Sequence, residues 1–320
     1  MNKMNGSADA VIPTQINGAQ PALPANGTPD SVSQIVEALA VVHDPRSSNE
    51  NRQHASTFLD DAKNNNEAPY HGFTLASDHN QPPIVQHYGL SLLECAIRHR
   101  WTGYTQEQST ALREWVLELA QGISEKDPSY IRNKVVQLWV EVAKRSWALD
   151  WMDMDELLVR LWSGPLVQKA LVLGVLEALS EDIFGHEDTT AGLRGNDLNR
   201  ACVEIFTPAA VLTEHFPTRE NTFNVRYGDD GWLARIGSLL AWCVDSDVQS
   251  NEQIRNSAIK ALAVLRTAMG WAIPKAIVAA RCVESISKSL AAQDVQVKMV
   301  RTCSWPPRCG SRSLTSFRHL

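Results

Sequence analysis

The sequence predicts an all-α fold, a solenoid made by stacking antiparallel helix pairs, and three observations predict it. From Pro82 onward, apolar residues recur at steps of three and four, the period of an amphipathic helix. No convincing alternating strand interrupts them. Landmark residues also return at repeat spacing: Pro83 to Pro128 is 45 residues, Trp101 to Trp147 is 46, and Pro128 to Pro165 is 37. Those periods match two-helix HEAT or armadillo units. The expected architecture is therefore a HEAT-repeat α-solenoid, a right-handed superhelical arch of antiparallel helix pairs, with an irregular α-bundle as the alternative.

The segment from Pro82 to Trp101 puts Val85, Tyr88, Leu92, Leu93, Ala96 and Ile97 on one stripe, and Pro82 and Pro83 mark its start. Thr105 to Ile123 repeats the pattern through Leu112, Trp115, Val116 and Leu119, and Thr105 with Gln108 resembles a capping box. A third helix follows Pro128 with Ile131, Val135, Leu138 and Val142 inward. A short fourth uses Leu157, Leu158, Leu161 and Trp162 and stops at Gly164. Pro165 opens a fifth with Leu166, Ala170, Leu173 and Leu176 inward. Further helices are expected over 196–215, 231–244, 251–268 and 274–291, with Gly185–Asn196 and Pro217–Gly231 as surface connections.

Composition narrows the function classes. The 320 residues, 44% hydrophobic and 21% charged, suit a folded chain of about two domains. A net charge of −6 excludes a basic sheath that grips nucleic acid through bulk charge. The longest apolar run, Ala170 to Leu179, contains Glu177 and falls short of the roughly 20 residues that span a bilayer, so no membrane insertion is expected. The first thirty residues, rich in Asn, Ala, Pro and Gly, have no signal-peptide core and read as a flexible leader. Six cysteines without CxxC or zinc-site spacing point to a reducing compartment and to no metal site.

Catalytic signatures are missing from the sequence. GxGxxG, GxxxxGK followed by Ser or Thr, GxSxG and HExxH are all absent, and no cofactor is expected. The acidic pairs Asp60/Asp61 and Asp229/Asp230 read as solvated surface acids, because neighbouring residues point apart. The basic clusters Arg98, His99, Arg100 and Lys144, Arg145 each end a helix just before a tryptophan, where the helix dipole favours cations. Their recurrence at one repeat spacing marks equivalent positions in successive repeats. The ten tryptophans read as packing between helices and repeats.

Arg52, Ala55, Phe58, Leu59 and Lys63, then Pro83, Val85, Tyr88, Gly89, Leu90, Leu92, Leu93, Glu94, Arg100 and Trp101, resemble the amino-terminal importin-β domain of nuclear transport receptors. Lys144, Arg145, Trp147, Asp150 and Trp151 are similar to the Lys-Arg-x-Trp-x-x-x-Trp pattern of the exportin-type domain that follows it. Ala258 to Ala263 with Gly270, Trp271, Ile273 and Pro274 looks like its later turn. The likeness covers residues 31 to 299 and is nearest to the exportin-5 branch, whose fungal members carry phosphoproteins. It implies importin-β-like repeats over 31–125, exportin-type repeats over 126–299, and an atypical basic tail over 300–320 that reads as a truncated or misread end.

The same resemblance implies a non-enzymatic export receptor, shuttling between nucleus and cytoplasm. Its partners would be the GTP form of Ran, a cargo and nucleoporins; the cargo would be a protein, phosphorylated in some cases, or a structured small RNA such as tRNA. In the family the second helix of each early repeat meets Ran. Those helices are read here as 50–64, 105–122, 152–163 and 196–215, which nominates Asp60, Asp61, Glu114, Glu118, Asp155 and Arg160 as contacts. A HEAT-type protein scaffold without transport activity is the rival reading.

Overall fold

Proline and capping residues set most helix starts. The computed structural model describes residues 29–185, 188–217, 224–246 and 251–291. The calls on the leader and on the 300–320 tail lie outside them. Helix α1 (Pro29–His43) pairs with α2 (Asn49–Asn64), α3 (Ala68–Ser77) with α4 (Pro83–Arg100), α5 (Gln106–Gly122) with α6 (Ser129–Ser146), and α7 (Met154–Trp162) with α8 (Leu166–Phe184). Three short helices follow: α9 (Thr189–Leu193), α10 (Gly195–Phe206) and α11 (Ala209–His215). Pairing resumes with α12 (Gly231–Asp245) and α13 (Glu252–Ala268), and the described part closes on α14 (Pro274–Ala279) and α15 (Cys282–Ala291). Among the described residues there is no strand, only an isolated bridge between Trp147 and Trp151. The fold is an all-α HEAT-type solenoid.

Local chemistry explains the boundaries. Thr105 and Gln108 form the reciprocal capping box that the sequence announces, satisfying two of the orphan N–H groups at the start of α5. Ser48 caps α2 by accepting from the N–H of Asn51. The predicted helix over 196–215 is instead two, because Pro208 cannot donate the N–H that would continue α10. The predicted helix over 274–291 also divides, at Arg281, whose φ of 51° lies in the left-handed region. Helix α3, which no strong cap announces, adds an element between those read from the sequence.

Packing sorts the helices into two layers. Helix α4 lies on α6, α6 on α8 and α8 on α13, with α2 touching α4 at the other end. Helices α1, α3 and α5 follow one another in the opposite layer. The tightest pair is α3 with α4, whose backbones cross at two glycines. A Cβ on Gly89 would stand 2.6 Å from the carbonyl oxygen of Gly72, so only glycine permits this approach.

Two apolar clusters fill the stack, and they meet at α4. Ile35, Leu39, Leu59, Leu75, Val85 and Leu92 form the smaller one. The larger starts from Leu90, Leu93 and Ile97 on the same helix and continues without a break to Cys282. Leu119, Ile123 and Ile131 share it, so packing is continuous across residues 125 and 126. Helix α8 sits deepest: Leu171 to Leu176 are all buried, and its pattern is apolar on every side rather than a single stripe. Each helix pair thus buries one flank of residues only by stacking on the next.

Candidate partner-binding surface

A helix leaves its last carbonyls without intrahelical partners, and in this stack arginines from the following repeat supply them. Arg100 donates to the carbonyls of Lys63 (3.1 Å) and Asn65 (2.8 Å) at the end of α2. Arg145 reaches the Arg98 carbonyl near the end of α4 at 3.3 Å while also donating to Glu141 of its own helix. Arg194 donates to the carbonyls of Lys144 (3.0 Å) and Trp147 (2.5 Å) at the end of α6. The recurrence of basic residues in the sequence is therefore real, and Arg100, Arg145 and Arg194 each reach back to the end of a preceding helix, Arg145 with its shorter bonds on Glu141. Sequence reading found Arg100 and Arg145; it missed Arg194, which falls in a segment expected to be a mere surface connection.

Lys144 performs a different task from its neighbour. Its side chain is 1% exposed, and its ammonium donates to Glu141 at 2.9 Å and to Asp182 and Asp188 at 2.8 Å each. Burial alone would lower its pKa, but hydrogen bonds to Asp182, Asp188 and Glu141 outweigh it and hold the ammonium above its ordinary value. The cluster joins α6, α8 and the start of α9, so the described part of Gly185–Asn196 is pinned to the stack at Asp188 rather than looped out from it. Trp147 and Trp151 are buried in the core. Trp151 packs against Trp139 with ring centroids 5.3 Å apart, and the Arg113 guanidinium lies 5.8 Å from its centre. Trp101 caps α4 and is partly buried. The Lys-Arg-x-Trp-x-x-x-Trp residues are thus a packing and capping device between repeats.

The six residues nominated for partner contact separate into three groups. Asp60 and Asp61 are exposed on α2, with Asp60 2.7 Å from Lys63. Glu114, Glu118 and Arg160 are exposed on α5 and α7, where Arg160 pairs with Glu156 at 2.6 Å. Asp155 is fully buried and does not belong to a contact surface. One carboxylate oxygen accepts from the Tyr227 N–H at 2.6 Å and the other from the Trp232 indole N–H at 2.6 Å. Burial raises its pKa to about 6, against those two hydrogen bonds and the attraction of Arg235 and Arg226. Asp155 holds residues 225–227 against α7 and α12, and Val225 is buried beside it with its N–H donating to Glu204. The described part of Pro217–Gly231 is therefore tied into the core.

The layer assignment also changes. Helices α5 and α7 are the first members of their pairs, whereas α4, α6, α8 and α13 are the second members. Omitting α3 from the sequence reading shifts the alternation by one for every helix after it. The second-helix face carries ion pairs that cross from one helix to the next: Glu94 with Lys134, Arg98 with Glu141 at 3.5 Å, and Glu181 with Arg266 at 3.8 Å. Tyr130, Asn133 and Gln137 of α6 stand exposed among them. Among the described residues no group of His, Cys, Asp and Glu is placed to hold a metal ion, and no helix is long and apolar enough to cross a membrane.

Within this solenoid of stacked helix pairs tied together at their ends, residues 128–207, which run from the start of α6 to the end of α10, match the Exportin 1-like protein family. In sequence the chain is similar to exportin-5 proteins over about half of its length. It is 31% identical to Protein MSN5 of Saccharomyces cerevisiae over 260 residues, which is 77% of this chain and 21% of that protein. It is 32% identical to human Exportin-5 over 156 residues, 47% of this chain and 13% of the relative, and 29% identical to Dictyostelium discoideum Exportin-5 over 160 residues, 50% and 14% respectively. The chain spans about a fifth or less of the length of these relatives.

Proposed function

We propose that this chain acts as part of a nuclear export receptor that binds Ran in its GTP form together with cargo, shuttles between nucleus and cytoplasm through contacts with nucleoporins, and catalyses no reaction itself. The observation that carries this reading is the coincidence of the exportin 1-like segment, 128–207, with helices α6 to α10, where the capping arginines and the Lys144 cluster tie successive pairs together. A stack joined in this way suits a receptor physically. Each pair moves against its neighbours about a small interface, so a partner bound along several pairs shifts the affinity for another without any chemistry.

The GTPase-facing surface in this reading is the second-helix layer, α2, α4, α6 and α8. Asp60 and Asp61 remain on it, joined by Tyr130 and Gln137 of α6. Glu114, Glu118 and Arg160 belong to the opposite layer and Asp155 to the interior. Cargo is a protein, phosphorylated in some cases, or a structured small RNA. The test is calorimetric titration of the chain with Ran charged with a non-hydrolysable GTP analogue or with GDP. The GTP form is expected to bind at least tenfold more tightly, and Asp60→Lys with Asp61→Lys to reduce that preference while Arg160→Glu leaves it intact. Equal affinity for the two forms would overturn the reading.

A further inference from the structure

A second set of polar groups, unused by the surface described above, gathers where the turn from α3 to α4 meets the turn from α5 to α6. There a cavity of about 240 Å³ is floored by the buried side chains of Leu90, Leu119, Ile123 and Ile131. Gln86 and Asp127 line its walls, and Glu118 and His79 stand exposed at its rim. Local chemistry fixes both wall residues. Asp127 turns the chain from α5 into α6, its Oδ2 accepting from the Ser124 N–H at 2.7 Å and from the Ser124 hydroxyl at 2.9 Å. Gln86 donates through its amide nitrogen to the carbonyls of Asp78 at 3.2 Å and Gln81 at 3.1 Å, which sets the orientation of the amide.

Each wall residue is left with an unanswered acceptor. Gln86 is 5% exposed and Asp127 9%, yet Gln86 Oε1 and Asp127 Oδ1 receive no hydrogen bond among the described residues, and neither oxygen is sealed from solvent. An acceptor held in a largely apolar recess without a donor is costly, and a ligand that donates relieves it. Glu118 adds a carboxylate with no ion pair among the described residues. No Lys or Arg lines the cavity, and His79 is the one lining side chain able to carry positive charge. His79, Glu118 and Asp127 are not placed to share a metal ion. The lining therefore calls for donors and positive charge above an apolar stem, and the chain's net charge of −6 acts in the same direction.

We propose that this cavity takes the aliphatic stem and cationic head of a lysine or arginine side chain presented by a protein partner. The stem lies on Leu90, Ile123 and Ile131, and the head donates to Gln86 Oε1, Asp127 Oδ1 and the Glu118 carboxylate. Size selects the source. At about 240 Å³ the cavity is smaller than the roughly 300–1,000 Å³ of sites that enclose a whole small molecule, so it suits one anchoring side chain whose own protein stays outside. The same unpaired carboxylates repel an acidic segment and a nucleic acid. The proposal does not depend on Ran or on export.

The experiment follows the isotope-labelled Ile and Leu methyls of the full chain by NMR. The probes are N-acetyl-arginine methylamide and N-acetyl-lysine methylamide, with N-acetyl-citrulline methylamide as the uncharged isostere. Saturable shifts centred on Leu90, Leu119, Ile123 and Ile131 are expected from at least one cationic probe, with the citrulline probe at least fivefold weaker. Glu118→Gln is expected to weaken binding severalfold and Glu118→Lys to abolish it. Glu114→Lys, one turn earlier on α5 and outside the cavity, is expected to leave it within twofold, which separates a site from bulk attraction. Both glutamates are exposed, so these variants leave the core intact. The rival occupants are a free diamine, for which cadaverine is the probe, and the chain's own residues 300–320, which hold four arginines and are tested as a peptide against its scrambled counterpart. No shift at these methyls, equal binding of the citrulline probe, or indifference to charge at position 118 would overturn the proposal. So would tighter binding of cadaverine than of both blocked amino acids, or Glu118-dependent binding of the tail peptide at least tenfold tighter than that of the scrambled one.

Discussion

Replacing Lys144 by Met keeps most of the side-chain volume and removes the charge that three carboxylates share. The loss can be apportioned from the geometry. Glu141 retains the Arg145 guanidinium at 2.6 Å, and Asp188 retains the Ala191 N–H at 2.7 Å, so both stay partly satisfied. Asp182 loses the ammonium at 2.8 Å, and the three acids are left close together around an apolar chain. Breaking a buried pair from one side costs about 3 to 5 kcal/mol, and the retained partners place this variant near the lower end. A loss of roughly 3 kcal/mol corresponds to a melting point about 6 to 12 °C lower for a fold of this size.

The pH dependence of that loss has a definite sign. For Glu141 and Asp188, burial works against ionisation, but the Lys144 hydrogen bond and the other donors overcome it and hold both carboxyls below their ordinary values. A carboxylate lowered in the fold contributes stability that is present above its unfolded value, near 4, and is lost as pH falls through the folded one. Lys144 is raised, so its share persists below its unfolded value, near 10.4, and is lost only in stronger alkali. The difference between wild type and variant in urea unfolding is therefore expected to be full from pH 6 to 8 and to shrink below pH 4. A loss under about 1 kcal/mol at pH 7, or a difference independent of pH, would refute the claim that Lys144 is a buried junction.

Trp147→Ala removes a fully buried ring from the large cluster and is expected to cost about 3 to 5 kcal/mol by chemical denaturation; an unchanged midpoint would contradict its packing role. Gly89→Ala forces a Cβ against the Gly72 carbonyl and is expected to cost roughly 1 to 3 kcal/mol, with Gly72→Ala similar and the pair less than additive. Arg194→Ala strips the cap from α6 and is expected to raise hydrogen exchange in the last turn of α6 and in α9, read by mass spectrometry, without changing α1 to α3. Asp155 has a folded pKa raised to about 6, so the fold binds more protons than the unfolded chain between about pH 4 and 6 and this group's contribution falls as pH rises through that window. Asp155→Asn is expected to flatten that part of the stability profile, and an unchanged profile would place the titration elsewhere.

How far the sequence carried the structure depends on which signals are local. Helices α4 to α8 are legible almost to the residue because Pro83, the Thr105 capping box, Pro128 and Pro165 mark their starts. Helix α3 is not, since its ten residues include both Pro69 and Gly72 and no side-chain cap, and its stability comes from the glycine crossing with α4, a tertiary contact. That one omission has a non-local consequence, because layers alternate along the chain and a missed helix inverts every later assignment. The contact surface read from alternation consequently mixed α2 with α5 and α7. Asp155 failed for a related reason: a charged residue on a helix resembles a surface residue until Trp232 and the Tyr227 backbone arrive from more than 70 residues away to satisfy it. The arginine caps were half legible, as spacing reveals recurrence but not that each side chain reaches back one repeat.

The central claim is that the second-helix layer of this solenoid meets Ran in a nucleotide-dependent way. Hydrogen exchange of the chain, followed by mass spectrometry in the presence of Ran bound to a non-hydrolysable GTP analogue and then to GDP, tests both halves together. Protection confined to α2, α4 and α6 with the GTP form, and absent with the GDP form, is the expected result. Protection of α5 and α7 instead, identical protection by both forms, or none at all would contradict it.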